Sequence, residues 1–156
     1  MREKTCCFTG HRIIPSEMQP SVQIELEKIV RGLIREGICY FGVGGAIGFD
    51  MMAAEVILQL KNFYPHIRLI LVIPCLQHTR NWSIKNLKEY EQILKRADKV
   101  VYTSKTYSKG CMQLRNRHLV NHSCVCVAFC MRLNGGSAYT VDYAKKQGLK
   151  VIYVNR

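Results

Sequence analysis

Six short apolar runs recur along the chain with room for one helix between each pair: Thr5 to Phe8, Ile38 to Val43, Ile67 to Ile73, Lys99 to Tyr102, Val125 to Phe129 and Val151 to Val154. They are rich in Val, Ile, Cys, Phe and Tyr. Continuous runs of this kind mark strands buried on both faces, as in a parallel sheet. Between the first two, Val22, Leu26, Ile29, Val30 and Leu33 repeat at helical spacing and stop before Gly37, which suits a helix terminator. Leu87, Tyr90, Leu94 and Ala97 repeat that spacing, and Met51 to Leu60, Met112 to Asn121 and Ser137 to Gln147 supply three further helices. Strand and helix in alternation predict crossover units: one three-layer α/β domain over residues 1–156, with a mostly parallel sheet of about six strands.

Four of the strand-like runs stop at a polar or glycine-rich turn: Thr9-Gly10-His11-Arg12, Gly44-Gly45-Ala46-Ile47-Gly48-Phe49-Asp50, Pro74-Cys75 and Asn134-Gly135-Gly136-Ser137. In an open parallel sheet such turns gather at the carboxyl edge, where backbone N–H groups and helix starts face a ligand. The glycine segment is not the dinucleotide fingerprint. Counted from Gly42, the place of the third glycine is Ile47, and the segment follows the second strand rather than the first. It still offers unhindered amides and a carboxylate, Asp50, which suits either a helix cap or a contact to a ribose hydroxyl. In the first turn, Arg12 can hold phosphate through paired N–H donors, and His11 can donate or accept near neutral pH.

Composition adds constraints more than chemistry. With 156 residues, 48% of them hydrophobic, the chain can bury one core. The run Ile67 to Cys75 is broken by Arg68 and is far short of the ~20 residues that span a bilayer; with no apolar signal core at the N-terminus, a cytoplasmic protein away from membranes is expected. The eight cysteines include an adjacent pair, Cys6-Cys7, and several inside apolar runs, so buried thiols fit better than a disulfide scaffold. Cys124, Cys126 and Cys130 share a strand parity and His118 and His122 a helix spacing. Neither set carries a zinc loop or the H-E-x-x-H pattern, and no metal is expected. Lys and Arg number 23 against 11 Asp and Glu, a formal +12 that draws phosphate of any kind without separating a nucleotide from DNA. Trp82 and Tyr107 suit either base stacking or cover for the core.

The segments Thr9-Gly10-His11-Arg12, Gly44 to Asp50, Trp82, Arg115-Asn116-Arg117 and Gly135-Gly136-Ser137-Ala138-Tyr139-Thr140-Val141 resemble, in the same order and over nearly the whole chain, the YpsA-like family of the SLOG superfamily. The resemblance implies a Rossmann-like fold. It also implies a ligand class, because that superfamily includes LOG phosphoribohydrolases of cytokinin nucleotides, single-strand DNA-binding DprA proteins and predicted sensors of nucleotide-derived signals.

Three functions follow as expectations. The first is a sensor that binds a nucleotide-derived molecule of the AMP, NAD or ADP-ribose type through Thr9, Gly10, His11, Arg12, Gly44, Gly45, Gly48, Asp50, Arg115, Asn116, Gly135, Gly136 and Ser137. No further cofactor is expected, and a protein partner or a homodimer is left open. The second is an N-glycosidic hydrolase resembling LOG, in which Arg115 and Asp142 fall at the positions of that pattern's catalytic arginine and glutamate. The departures are Asn134 for proline, Ala138 for glycine, Tyr139 for threonine, and a carboxylate one methylene shorter. The third, behind the nucleotide, is single-stranded DNA. The chain lacks the clustered basic and aromatic positions that strand-binding grooves combine.

Overall fold

In the computed structural model, which describes residues 1–131 and 135–154, the chain runs β1 (Thr5–Gly10), α1 (Gln19–Arg35), β2 (Tyr40–Val43), α2 (Phe49–Lys61), β3 (Arg68–Ile73), α3 (Ile84–Arg96), β4 (Lys99–Tyr102), α4 (Cys111–Asn121), β5 (Val125–Phe129), α5 (Gly136–Lys146) and β6 (Lys150–Tyr153). A single turn of 3₁₀ helix over Arg2–Lys4 precedes β1. All six strands pair in parallel, in the order β4-β3-β2-β1-β5-β6. The alternation read from the sequence therefore becomes a Rossmann-like three-layer fold.

The layers follow from strand parity. Phe41, Val43, Leu69, Leu71 and Ile73 point to one face and build the main core with α1, α2 and α3. Val72, Cys7 and Cys126 point to the other, where a smaller core meets Leu119 and Val120 of α4 and Ala144 of α5. In α1, Val22, Leu26, Val30, Leu33 and Ile34 form the buried stripe. The helix stops where Gly37 adopts φ +103°, Gly37 N–H bonds Ile34 C=O and Ile38 N–H bonds Leu33 C=O. This is a Schellman ending with its apolar contact. It also explains why β2 starts later than the apolar run implies: Ile38 closes the helix end, and pairing begins at Tyr40. Gly148, at φ +83°, ends α5 in the same way.

Cys6, Cys7 and Cys126 are buried strand residues, and all eight cysteines are free thiols. Among the described residues no three His, Cys, Asp or Glu side chains converge as metal ligands, and no helix is long and apolar enough to cross a membrane.

At the carboxyl edge the β1 and β2 turns lock together. The Phe49 ring lies where a Cβ on Gly10 would sit, 2.4 Å away, and Phe49 N–H bonds His11 C=O at 3.1 Å. Gly48 holds φ +81° with Arg12 C=O 2.2 Å from where its Cβ would be. Gly48→Ala therefore meets both left-handed strain and rigid backbone, whereas Gly32, on α1, has nothing within 4 Å of an added Cβ. Denaturant unfolding is expected to show Gly48→Ala destabilised by about 2 kcal/mol or more and Gly32→Ala stabilised by about 0.5–1 kcal/mol. Equal effects at the two positions would contradict the locked turn.

Candidate functional site

The strand order reverses between β1 and β5, because the chain builds outward from β1 to β4 and then returns to place β5 on the other side of β1. At such a switch point two neighbouring crossovers leave in opposite directions and open a crevice at the strand ends. A cleft of about 330 Å³ lies there. One bank is the β1 turn, with Thr9, Gly10, His11 and Arg12; the other is the start of α5, with Gly135, Gly136 and Ser137; Asp50, Arg115 and Asn116 close the back.

Arg115 is only 5% exposed, an unusual burial for a guanidinium. Its Nη1 donates to Gly44 C=O, and its Nε donates to Asn116 Oδ1 at 2.7 Å. Among the described residues Nη2 takes no partner, yet it is not sealed from solvent, so its N–H donors are the ones presented to the cleft. Asp50, 7% exposed, is arranged likewise: Oδ2 accepts Ala46 N–H at 3.2 Å, and Oδ1 is left to the cleft. The two side chains do not close a direct ion pair. Burial raises the Asp50 carboxyl above its ordinary value, against the pull of Arg115, the Ala46 amide and Arg12. Burial also lowers the Arg115 guanidinium, which Asp50 partly offsets and Arg12 reinforces.

Arg12 stands exposed at the mouth with no side-chain hydrogen bond among the described residues. The N-terminus of α5 has Gly135 at φ +100° and no side-chain cap, so its first-turn amides and the positive end of the helix dipole face the cleft. Among the described residues, the fixed charges around the cavity are thus two guanidinium groups and one carboxylate. His11 works as a strut between the banks: its Nε2 accepts Met131 N–H at 2.8 Å and its ring meets Phe129 edge-on at 5.5 Å.

Of the residues singled out in the sequence, Thr9, Gly10, His11, Arg12, Asp50, Arg115, Asn116, Gly135, Gly136 and Ser137 border this one cleft. Gly44, Gly45 and Gly48 do not, and Gly48 lines a neighbouring depression with Arg12 and Ile13 instead. A Cβ on Gly44 would come within 2.7 Å of Arg115 and 2.9 Å of Asp50, and one on Gly45 within 2.5 Å of Ile73. Asn134 lies outside the described residues. Asp142 does not border the cleft that Arg115 lines. On α5 the buried positions are Ala138, Thr140, Val141 and Ala144, and Asp142 is exposed outside the cleft lining. Trp82 joins the core rather than the cleft, meeting Tyr90 at 5.5 Å and His78 at 5.3 Å, and Tyr107 is exposed. His78 was not foreseen. Its two ring nitrogens sit 3.2 and 3.3 Å from the carbonyls of Cys75 and Gly45, tying the β3 turn to the glycine turn. The sequence reading also missed Ala46, whose amide fixes Asp50, because a backbone donor leaves no mark in residue type.

The sequence profile of the YspA SLOG family matches residues 15–154. A UPF0398 protein of Halalkalibacterium halodurans is similar at 35% identity over 124 residues, 78% of this chain and 66% of that protein. Among solved structures, DNA processing protein A (DprA) of Streptococcus pneumoniae is similar with a TM-score of 0.72 at 19% identity, over 97% of this chain and 50% of that one. DprA of Helicobacter pylori gives 0.69 at 21% identity, over 96% of this chain and 64% of that one. These two likenesses are likenesses of fold, and this chain spans no more than 64% of either DprA chain.

Asp50 makes the site's electrostatics measurable. A carboxyl raised on folding binds its proton more tightly in the folded than in the unfolded state, so its contribution to stability is full below the unfolded value and is lost as pH rises through the folded one. Stability of the wild type relative to Asp50→Asn is expected to fall as pH rises from about the ordinary 3.8 and then to level off. Urea unfolding of both proteins across that range checks it; a difference that stays flat or rises with pH would contradict the assignment.

Proposed function

Since this chain belongs to the YspA SLOG family, we propose that its carboxyl-edge cleft binds a nucleotide or nucleotide-derived ligand of the AMP, NAD or ADP-ribose type, and that the protein acts as a sensor of that ligand. The observation that carries this reading is the buried Arg115, facing the uncapped α5 N-terminus across the switch-point cleft with Nη2 unengaged. A buried cation and a helix N-terminus aimed at one cavity are complementary to phosphate. Arg12 at the mouth adds a second guanidinium. Asp50 Oδ1 is a natural acceptor for a ribose hydroxyl, and a cleft of about 330 Å³ suits a ligand of that class.

Binding without turnover fits the geometry better than glycosidic hydrolysis. A hydrolase of the LOG type needs a carboxylate beside the sugar, and Asp142 is exposed outside the cleft lining. The carboxylate that does line the cleft, Asp50, accepts the Ala46 amide at Oδ2 and keeps Oδ1 for the ribose hydroxyl proposed above.

Single-stranded DNA is the second reading. It is favoured by the formal +12 and by the likeness to H. pylori DprA, whose structure was described for its single-stranded DNA binding mode. The two readings separate by salt, since strand binding through phosphates weakens steeply as salt rises and a pocket of directed hydrogen bonds does so less.

Ligand-observed proton NMR with AMP, NAD, ADP-ribose and an oligothymidylate, at two salt concentrations, tests the reading. Saturable binding of at least one of the three nucleotides is expected, and Arg12→Ala should weaken it about 10-fold while leaving the fold intact. Binding of the oligonucleotide alone, or nucleotide binding unchanged by Arg12→Ala, would count against it. Base release over hours that disappears in Asp142→Ala would restore the hydrolase.

A further inference from the structure

Parallel sheets are ordinarily covered on both faces. Here the cover on the second face falls short. There α4 packs on β1 and β3 and α5 on β1, β5 and β6, so helix cover on this face thins toward the edge strand β4. Leu69 and Leu71, facing the main core, are fully buried, whereas Ile70 and Val101, facing the other way, are only partly so. Between them and α4 runs a groove of about 410 Å³ with Gly42, Ile70, Val72 and Val101 as its floor and Leu119 and Tyr40 at its sides. It lies toward the amino ends of the strands, and none of its lining residues borders the nucleotide cleft.

The rim is basic. Lys99 and Arg2 supply two cations, and His118 and His122 stack beside them with ring centroids 4.1 Å apart. Among the described residues no carboxylate lines the groove, and the nearby Glu3 carboxylate accepts from the Met1 amino group at 3.0 Å. The neighbouring Asp98 is committed elsewhere, to Lys61 and to the Leu69 amide at 2.8 Å. His118 feels the same positive surroundings: burial, then His122 and Lys99, lower its pKa.

The geometry points to this groove as the docking site for an acidic amphipathic helix of a partner protein. Three strands spaced about 4.8 Å apart make a floor about 10 Å wide, which is the diameter of a helix. A helix laid there supplies the layer that the sheet lacks, its apolar stripe on Ile70, Val72 and Val101 and its Asp or Glu flank toward Lys99, Arg2 and His118. Charge disfavours a second copy of this chain as the occupant. A two-fold contact would set Lys99 and Arg2 against their own counterparts, on a chain of formal charge +12.

Two synthetic helical peptides with the same leucine stripe, one flanked by glutamate and one by lysine, test the proposal on the full chain by methyl and amide NMR. The glutamate peptide is expected to bind saturably, with shifts centred on Ile70, Val72 and Val101, and to make the His118 imidazole titrate at higher pH. The lysine peptide is expected not to saturate. Lys99 is exposed and makes no hydrogen bond among the described residues, so Lys99→Glu should leave the fold intact and weaken the glutamate peptide about 10-fold. Failure of the glutamate peptide to saturate, equal binding of both peptides, or indifference to Lys99→Glu would overturn the proposal. So would sedimentation showing a dimer that Val101→Asp dissociates, since the second copy would then own the face.

Discussion

The carboxyl edge depends on the burial of one guanidinium. Taking an arginine out of water costs several kcal/mol unless its donors are met and a counter-charge is near. Arg115 is held by the Gly44 carbonyl, the Asn116 side chain and the field of Asp50. That arrangement fits only because Gly44 lacks a Cβ, whose place would lie 2.7 Å from the guanidinium. Gly10 and Gly48 serve the same end one layer further out, letting Phe49 and the Arg12 carbonyl close against the turn that carries Asp50. The glycines therefore act mainly by yielding space to other groups of the protein, and the donors that border the cleft belong to Arg115, Arg12 and the start of α5.

The two cavities have different origins. The switch-point cleft follows from topology, since reversal of strand order between β1 and β5 opens a crevice whatever residues line it, and Arg12 and Arg115 against the single carboxylate of Asp50 then make its described lining net positive. The groove over β3 and β4 comes from unequal cover, three helices on one face of the sheet and two on the other. The first is lined by polar and apolar groups in like measure, with both guanidinium groups and the carboxylate among them; the second has an apolar floor and a basic rim. The fold sets the two cavities apart, the cleft at the carboxyl ends of the strands and the groove toward their amino ends, with no lining residue in common.

The strands and helices were legible because parallel strands are apolar throughout and the helices carry clean stripes, as Val22 to Leu33 does before Gly37. Boundaries moved where tertiary contacts decided them, as when Ile38 was claimed by the end of α1. In the site, the residues gathered by the β1 and α5 turns could be named from the sequence because turns after strands must share an edge. Two features were not legible. The position of Asp142 relative to the cleft depended on helical phase, and α5 turns its buried face along Ala138, Val141 and Ala144 and leaves Asp142 exposed. Gly44, Gly45 and Gly48, which the cleft lining leaves out, looked like ligand-facing amides, but their conformations and neighbours show up only once the two turns are packed together.

The most direct test of the central claim is a backbone amide NMR titration of the assigned protein with ADP-ribose. Binding in the switch-point cleft predicts saturating shifts on both banks at once, at Gly10 to Arg12 and at Gly136 to Ala138, together with the side-chain N–H signals of Arg115. Saturation with shifts confined to one bank or to another surface, or no saturation with ADP-ribose, AMP or NAD, would contradict it.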